Sequence, residues 1–412
     1  MLKNYFKIAI AVLKRRKFFT FISLFGISFT LTILIVLTAF FDNITSANYP
    51  EVNRARSLYV NFIQEKNTKY GYSRNGPASY YFLDHYVNPL KTPEKVAISS
   101  LFSPVNTYIN NKKLVVNVKY TNEDWWDVLQ FKFVEGKPYT KQEIDNAAHV
   151  AVISADLKKD YFGDEPNVVG KVIQADNVKY RIAGVVRSVP VTMALSYADL
   201  YAPYTVSKTD YKTRTFSGMY AGILMAHSKS EVPKMKQEYA TMVAKIKPDD
   251  KEFDQFNSHA DSYVASFTRQ ITGSSNSSGM NILVTIVSVF LLLFMLLPTL
   301  NLININISRI MERSSEIGVR KAFGASSLTL VWQFIVENII LTIFGCLIGL
   351  ALSFIVLQII NTSGLIPNIH LTINFTVLLF SLAACIFFGL LSGVYPAWRM
   401  SRLQVVTALK AQ

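Results

Sequence analysis

The side chains best suited to ionic recognition gather in one short stretch. Arg309, Glu312, Arg313, Glu316, Arg320 and Lys321 follow one another closely, with Gly318 and Gly324 among them. Glu312 and Glu316 are four apart, as are Arg309 and Arg313, which on a helix makes a surface of alternating charge. Exposed pairs of this kind contribute only about 0.2–0.5 kcal/mol each. A short helix so charged, ending at Gly318 or Gly324, therefore suits docking on a soluble partner better than holding a fold together; the plain alternative is a solvated turn. Catalytic chemistry has no comparable foothold. His85, His149, His227, His259 and His370 are scattered, and neither H-E-x-x-H nor G-x-S-x-G occurs. The phosphate-cradling G-x-x-x-x-G-K-[ST] is absent from these 412 residues. The expectation is a chain with no catalytic, cofactor-binding or metal-binding residues, any ATP being used by a partner.

Four apolar stretches must position that charged segment: 18–41, 281–307, 328–360 and 375–397. Each is long enough for a helix to cross a hydrocarbon core, which takes about 20 residues. The net charge of +14 is concentrated beside them. Lys3, Lys7, Lys14, Arg15, Arg16 and Lys17 precede the first, Arg309, Arg313, Arg320 and Lys321 follow the second, and Arg399, Arg402 and Lys410 follow the fourth. The loop 361–374 has no Lys or Arg. Short loops rich in these residues stay cytoplasmic, so both termini and 308–327 are expected inside, and 42–280 and 361–374 outside. The basic excess is thus a topology signal and not a nucleic-acid footprint.

Residues 1–17 place Leu2, Tyr5, Phe6, Ala9, Ile10 and Leu13 on one helical face and lysines on another, the pattern of an amphipathic interfacial helix. The apolar run behind it is too long for a cleaved signal and reads as a retained anchor. Both cysteines, Cys346 and Cys385, fall inside expected spans. The 42–280 segment has none and must rely on its own apolar core. Strand patterns at 113–120, 148–154 and 178–187 and helical ones at 156–162 and 231–245 predict an α+β domain, joined by a Gly/Ser linker at 273–279 to the second span.

Within the spans, Gly345 with Gly349 and Gly389 with Gly393 form G-x-x-x-G pairs, which serve a close helix contact inside the chain or a dimer seam. Pro298 bends the second span, as hinge or plain kink. Asn301, Asn304 and Asn306 follow it and can re-satisfy the freed backbone. Glu337 is the one acid inside a span; bonding to a basic group of the charged loop is favoured over a proton relay, which would need further titratable groups at that depth.

Residues 311–326 read Met-Glu-Arg-Ser-Ser-Glu-Ile-Gly-Val-Arg-Lys-Ala-Phe-Gly-Ala-Ser and resemble the cytoplasmic loop of the MacB/FtsX-like permease family. Phe334-Ile335-Val336-Glu337 resembles the opening of that family's third span. The run from Tyr395-Pro396-Ala397-Trp398-Arg399 to Ala408-Leu409-Lys410 is similar to its terminal signature, with Gln404 and Val405 in place of the usual Asp-Pro. In the 42–280 segment the likeness runs through Gly136, 150–154, Phe162-Gly163, Gly170 and 180–186.

The resemblance implies an α-helical membrane protein with four transmembrane helices and a large α+β extracytoplasmic domain inserted between the first and second, lying in the bacterial inner membrane with a cytoplasmic tail at 398–412. It implies ATPase-coupling roles for Arg309, Glu312, Arg313, Glu316, Gly318, Arg320 and Lys321, and structural or hinge roles for Pro298, Glu337, Gly345, Gly349, Gly389, Gly393 and Pro396. The implied partners are an ABC ATPase subunit, a second permease copy or homologue, membrane lipid, and a periplasmic adaptor or outer-membrane component, for export or extraction of a drug, peptide or lipoprotein. The rival reading is a membrane-anchored sensor signalling through the same loop.

Overall fold

Among the described residues, thirteen strands and eight helices of eight residues or more order the chain in a computed structural model. It describes residues 15, 17–109, 112–208, 211–272, 277–312, 314–324 and 326–401, and at 109, 112, 297, 298, 301, 309, 310, 314–317, 327, 377, 397 and 399–401 the backbone only. The expected interfacial helix at 1–17, Arg313 and the tail beyond 401 lie essentially outside the described residues. The helices are α1 (Lys17–Thr45), α2 (Ala155–Phe162), α3 (Val232–Val243), α4 (Tyr263–Thr272), α5 (Met280–Glu312), α6 (Ser314–Ala322), α7 (Ser327–Ser363) and α8 (Phe375–Ser401). They divide between two compact units. A β-rich unit holds residues 44–284 and 366–369, and a helical unit holds the remaining parts of α1 and α5 together with α6, α7 and α8.

The main sheet of the β-rich unit runs β1 (Ser57–Val60), β12 (Tyr220–Ala226), β4 (Pro93–Ser100), β6 (Lys112–Thr121), β11 (Leu200–Pro203), β8 (Val150–Ser154), β10 (Val178–Val186), β7 (Phe133–Gly136). β5 (Ser103–Ile109) pairs with β6 and β9 (Val172–Ala175) with β10. A second sheet has β2 (Ile63–Lys66) between β13 (Gln255–Ser258) and β3 (Ser73–Gly76). β8·β10 and β6·β11 are parallel and the other pairs antiparallel. Every residue of β8 and β12 is buried, because both faces of the sheet are covered and a continuous apolar run, not an alternating one, fits there. The sequence patterns at 113–120, 148–154 and 178–187 correspond to β6, β8 and β10, and those at 156–162 and 231–245 to α2 and α3. Ser154 starts α2 by accepting from Leu157 N at 3.1 Å, and Gly163 at φ +67° stops it. Asp176 and Asn177, both at positive φ, turn β9 into β10, as a two-residue hairpin requires.

In the helical unit, three helices are long and apolar enough to cross a membrane among the described residues: Lys17–Thr45, Leu328–Ser363 and Leu378–Pro396. The expected second span falls on α5, whose described apolar stretch is the shorter Met280–Leu296. That helix runs on past residue 307 to Glu312, because charged residues continue a helix readily once they have left the apolar layer. Arg309 and Glu312 are therefore its last turn, not the start of a separate charged helix.

Charge is also buried in the β-rich unit. Lys119 on β6 is fully enclosed; its Nζ donates to Ser100 O at 3.0 Å and lies 5.7 Å from the Trp125 ring. Burial pulls its pKa down from 10.5 to about 7, and the charge of Glu51 opposes this only in part. Between about pH 7 and 10.5 the unfolded chain binds this proton and the folded chain does not, so stability rises with pH across that window. Lys119→Met should accordingly stabilise the protein below pH 7, with a gain that shrinks as pH approaches 10.5; thermal unfolding of the full chain in detergent across that range checks it, and a pH-independent difference contradicts it.

Candidate functional site

The charged stretch forms α6, a nine-residue helix carrying Glu316, Gly318, Arg320 and Lys321. Gly318 lies buried inside this helix and does not end it; Gly324, at φ +90°, follows its last turn. Glu312 is exposed, and Arg320 and Lys321 are half-buried. One residue that charge reasoning passed over stands out: Phe323 is 89 % exposed, its amide bonded to Val319 O at 3.0 Å. Met311 and Val319 are exposed nearby. An exposed aromatic ring beside a charged helix gains when another surface covers it, and the signal in the sequence is an aromatic just before the glycine that follows the helix.

A polar relay ties this helix to α7. Arg320 Nη1 donates to Gln333 Oε1 at 3.2 Å, and Gln333 Nε2 donates to Glu337 Oε1 at 3.3 Å. Gln333 and Glu337 are both buried. Gln333 thus stands between the acid in the span and the basic loop, an intermediary the sequence did not single out. The next residue, Asn338, joins three helices. Asn306 Nδ2 of α5 donates to Asn338 Oδ1 at 3.0 Å and to Ser392 O of α8 at 3.1 Å, while Asn338 Nδ2 returns to Phe334 O at 3.1 Å. Asn306 is therefore spent on its neighbours and does not repair backbone freed by Pro298; the nearest buried acceptors are across the helix contact, where an unpaired amide would cost most. Asn304 is exposed.

The glycines sit where these helices touch. A Cβ on Gly393 would come within 2.8 Å of Asn338 Nδ2, and one on Gly349 within 2.9 Å of Ser28 O on α1. Gly345 faces Ile27 and Gly389 faces Thr342. Thr32 Oγ1 of α1 donates to Gly349 O of α7 at 3.1 Å, so a side chain of α1 bonds the backbone of α7. Both G-x-x-x-G pairs therefore make contacts within the chain. Ile27, Leu31, Ile35, Leu302, Leu341, Cys346 and Cys385 form the apolar centre of this packing. Pro396 is buried within α8. The end of α1 and the start of α8 lie together, with Asn43 Nδ2 on His370 O at 3.2 Å and Asn374 Nδ2 on Asp42 Oδ1 at 3.3 Å.

Two family models match the chain: the MacB-like periplasmic core domain over residues 20–250 and the FtsX-like permease C-terminal over residues 288–405. The uncharacterized ABC transporter permease YknZ of Bacillus subtilis is 22 % identical over 338 residues, covering 82 % of this chain and 81 % of that one. The macrolide export ATP-binding/permease proteins MacB of Mannheimia succiniciproducens and Campylobacter jejuni are 28 % and 25 % identical over 77 % and 83 % of this chain. The chain spans about half the length of these two relatives, 46 % and 52 %. A crystal structure of the periplasmic region of MacB from Actinobacillus actinomycetemcomitans aligns with a TM-score of 0.37 at 17 % identity, covering 53 % of this chain and 94 % of that one.

Overfilling a close helix contact typically costs about 1–3 kcal/mol. Gly349→Ala and Gly393→Ala should lower the unfolding temperature in detergent, whereas Gly26→Ala, where a Cβ meets nothing within 4 Å, should not. Equal behaviour of all three would mean that the close contacts at Gly349 and Gly393 do not hold the helices.

Proposed function

Because the chain belongs to the MacB/FtsX-like permease family, we propose that it is the membrane-spanning subunit of an ABC transporter that carries the motion of a separate ATPase to its β-rich domain across the membrane. The observation that carries this reading is the charged helix α6. It presents Phe323 outward and is linked through Arg320 and Gln333 to the buried Glu337 of a long apolar helix. A push on α6 from a docked protein reaches α7 through hydrogen bonds and reaches α5 through the adjoining chain.

Four spans, formed by α1, α5, α7 and α8, place α6 and both termini in the cytoplasm, as the distribution of Lys and Arg requires. The β-rich domain and the 361–374 loop then share the outer side; in support, residues 366–369 pack with that domain and Asn368 Nδ2 bonds Asp156. The working transporter pairs this subunit with a second copy or a homologue and with two ATPases, in the inner membrane of a bacterium. ATP is bound and hydrolysed by those partners. The substrate class is that of export or extraction, a drug, peptide or lipoprotein, handed on the outer side to an adaptor or outer-membrane component.

The test is stimulation of the ATPase by the reconstituted permease. Replacing Glu312 and Glu316 together by Lys should abolish stimulation with little change in thermal stability, since charge pairs on a helix surface generally hold little of a fold while like charges facing a docking surface cost several kcal/mol. Phe323→Ala should weaken ATPase binding by about tenfold or more, because burying a Phe ring is worth about 1.5–3 kcal/mol. A folded double variant that still stimulates turnover makes α6 a merely solvated helix and removes the basis of the proposal.

A further inference from the structure

Two arginines of the β-rich domain spend their hydrogen bonds on backbone that leads into the membrane helices. Arg54 Nη1 donates to Ile44 O and to Ser46 O, both at 2.7 Å. These carbonyls belong to the end of α1, where backbone acceptors have no partner inside the helix and a cation is favoured. Arg269, on α4, directs Nη1 to Ser277 O at 3.0 Å, and its neighbour Thr268 bonds Ser278 O at 2.6 Å. Those residues are the lead-in to α5, where Gly279 at φ +71° has no room for a side chain against Thr272.

Each arginine is itself fixed from behind. Arg54 Nε bonds Glu51 Oε2 at 2.8 Å, with both side chains nearly inaccessible. Glu51 also accepts from Ser196 Oγ at 2.6 Å and Tyr59 OH at 3.4 Å. Arg269 Nε bonds Asp261 Oδ2 at 2.6 Å, again buried on both sides. Burial would raise the Asp261 carboxyl, yet Arg269 and Lys236 hold it below the usual range. The two groups then meet. The Arg54 guanidinium lies 3.5 Å from the centre of the Tyr263 ring, and Tyr263 is the first residue of α4, the helix that carries Arg269. Tyr59 packs edge-on against Tyr263 at 5.3 Å and exchanges backbone hydrogen bonds with Asp261 at 2.7 and 3.1 Å. The helix is held on its other side as well, by Gln270 Nε2 on Asn61 O at 2.9 Å and Asn61 Nδ2 on Ser266 Oγ at 3.1 Å.

A buried ion pair that only stabilised the domain would find acceptors among the domain's own strands and helices, and gains little over an apolar filling. Here the acceptors are the carbonyls of Ile44 and Ser46, at and just past the end of α1, and of Ser277, ahead of α5. We propose that Arg54 and Arg269 are positioning residues of a two-point clamp, both seated on α4, which fastens the chain that leaves α1 and the chain that enters α5 to one edge of the β-rich domain.

The clamp is tested in the full chain in detergent without nucleotide, by amide hydrogen exchange. Losing a hydrogen bond to a charged group costs enough to speed local exchange by about tenfold or more. Arg269→Gln should speed exchange at 277–283 and also at 44–56, and Arg54→Gln should do the reverse, with β8 unchanged as the control for folding. In a Tyr263→Leu background each substitution should loosen only its own segment, since the link between them is gone. Should either arginine variant fail to fold, Tyr263→Leu alone still decides, by speeding exchange at both segments. If each substitution loosens only its own segment in the parent chain, the two junctions are independent and the clamp is refuted, with the permease reading intact.

Discussion

A polar group withdrawn from water must find its partner inside the protein, and much of this molecule is arranged around that demand. In the helical unit the demand is met at few points, so each one fixes geometry. Asn306, Asn338 and Ser392 can satisfy one another only when three helices lie close, and they lie close only because position 393 carries no side chain where Asn338 rests. Where lipid offers no hydrophobic force between helices, such contacts and small-residue packing decide which faces meet. The same rule applied to Glu337 makes Gln333 its neighbour and brings α6 into register with α7.

A mechanical picture follows from where these bonds end. Hydrogen-bonded groups in a low-dielectric setting transmit displacement because breaking them leaves charge or dipole unpaired. The helical unit offers an exposed ring and a charged helix; within the β-rich unit, buried arginines turn onto the carbonyls of Ile44, Ser46 and Ser277.

The features legible in the sequence were those carried by neighbours along the chain. Run length gave the apolar helices, the placement of Lys and Arg gave the orientation now proposed, and alternation or burial of β-branched residues gave β6, β8, β10 and the helices α2 and α3. Long-range pairing left no such trace. β12 lies between β1 and β4, an order that requires contacts across most of the domain and that periodicity cannot report. Asn306 looked like a repair for Pro298 because its true partners lie on two later helices. Arg54 and Tyr263 lie far apart in the chain, and only the fold stacks one on the other. Phe323 was visible but was grouped with its charged neighbours, because a motif read for charge hides the apolar residue that a docking surface also needs.

If nucleotide at the partner ATPase changes the state of the β-rich domain through this chain, hydrogen exchange of the reconstituted permease and ATPase, compared with and without a trapped nucleotide, should change in α6 and, in the same sample, at residues 44–56 and 263–284. Altered exchange confined to α6, with the β-rich domain unmoved, would contradict it.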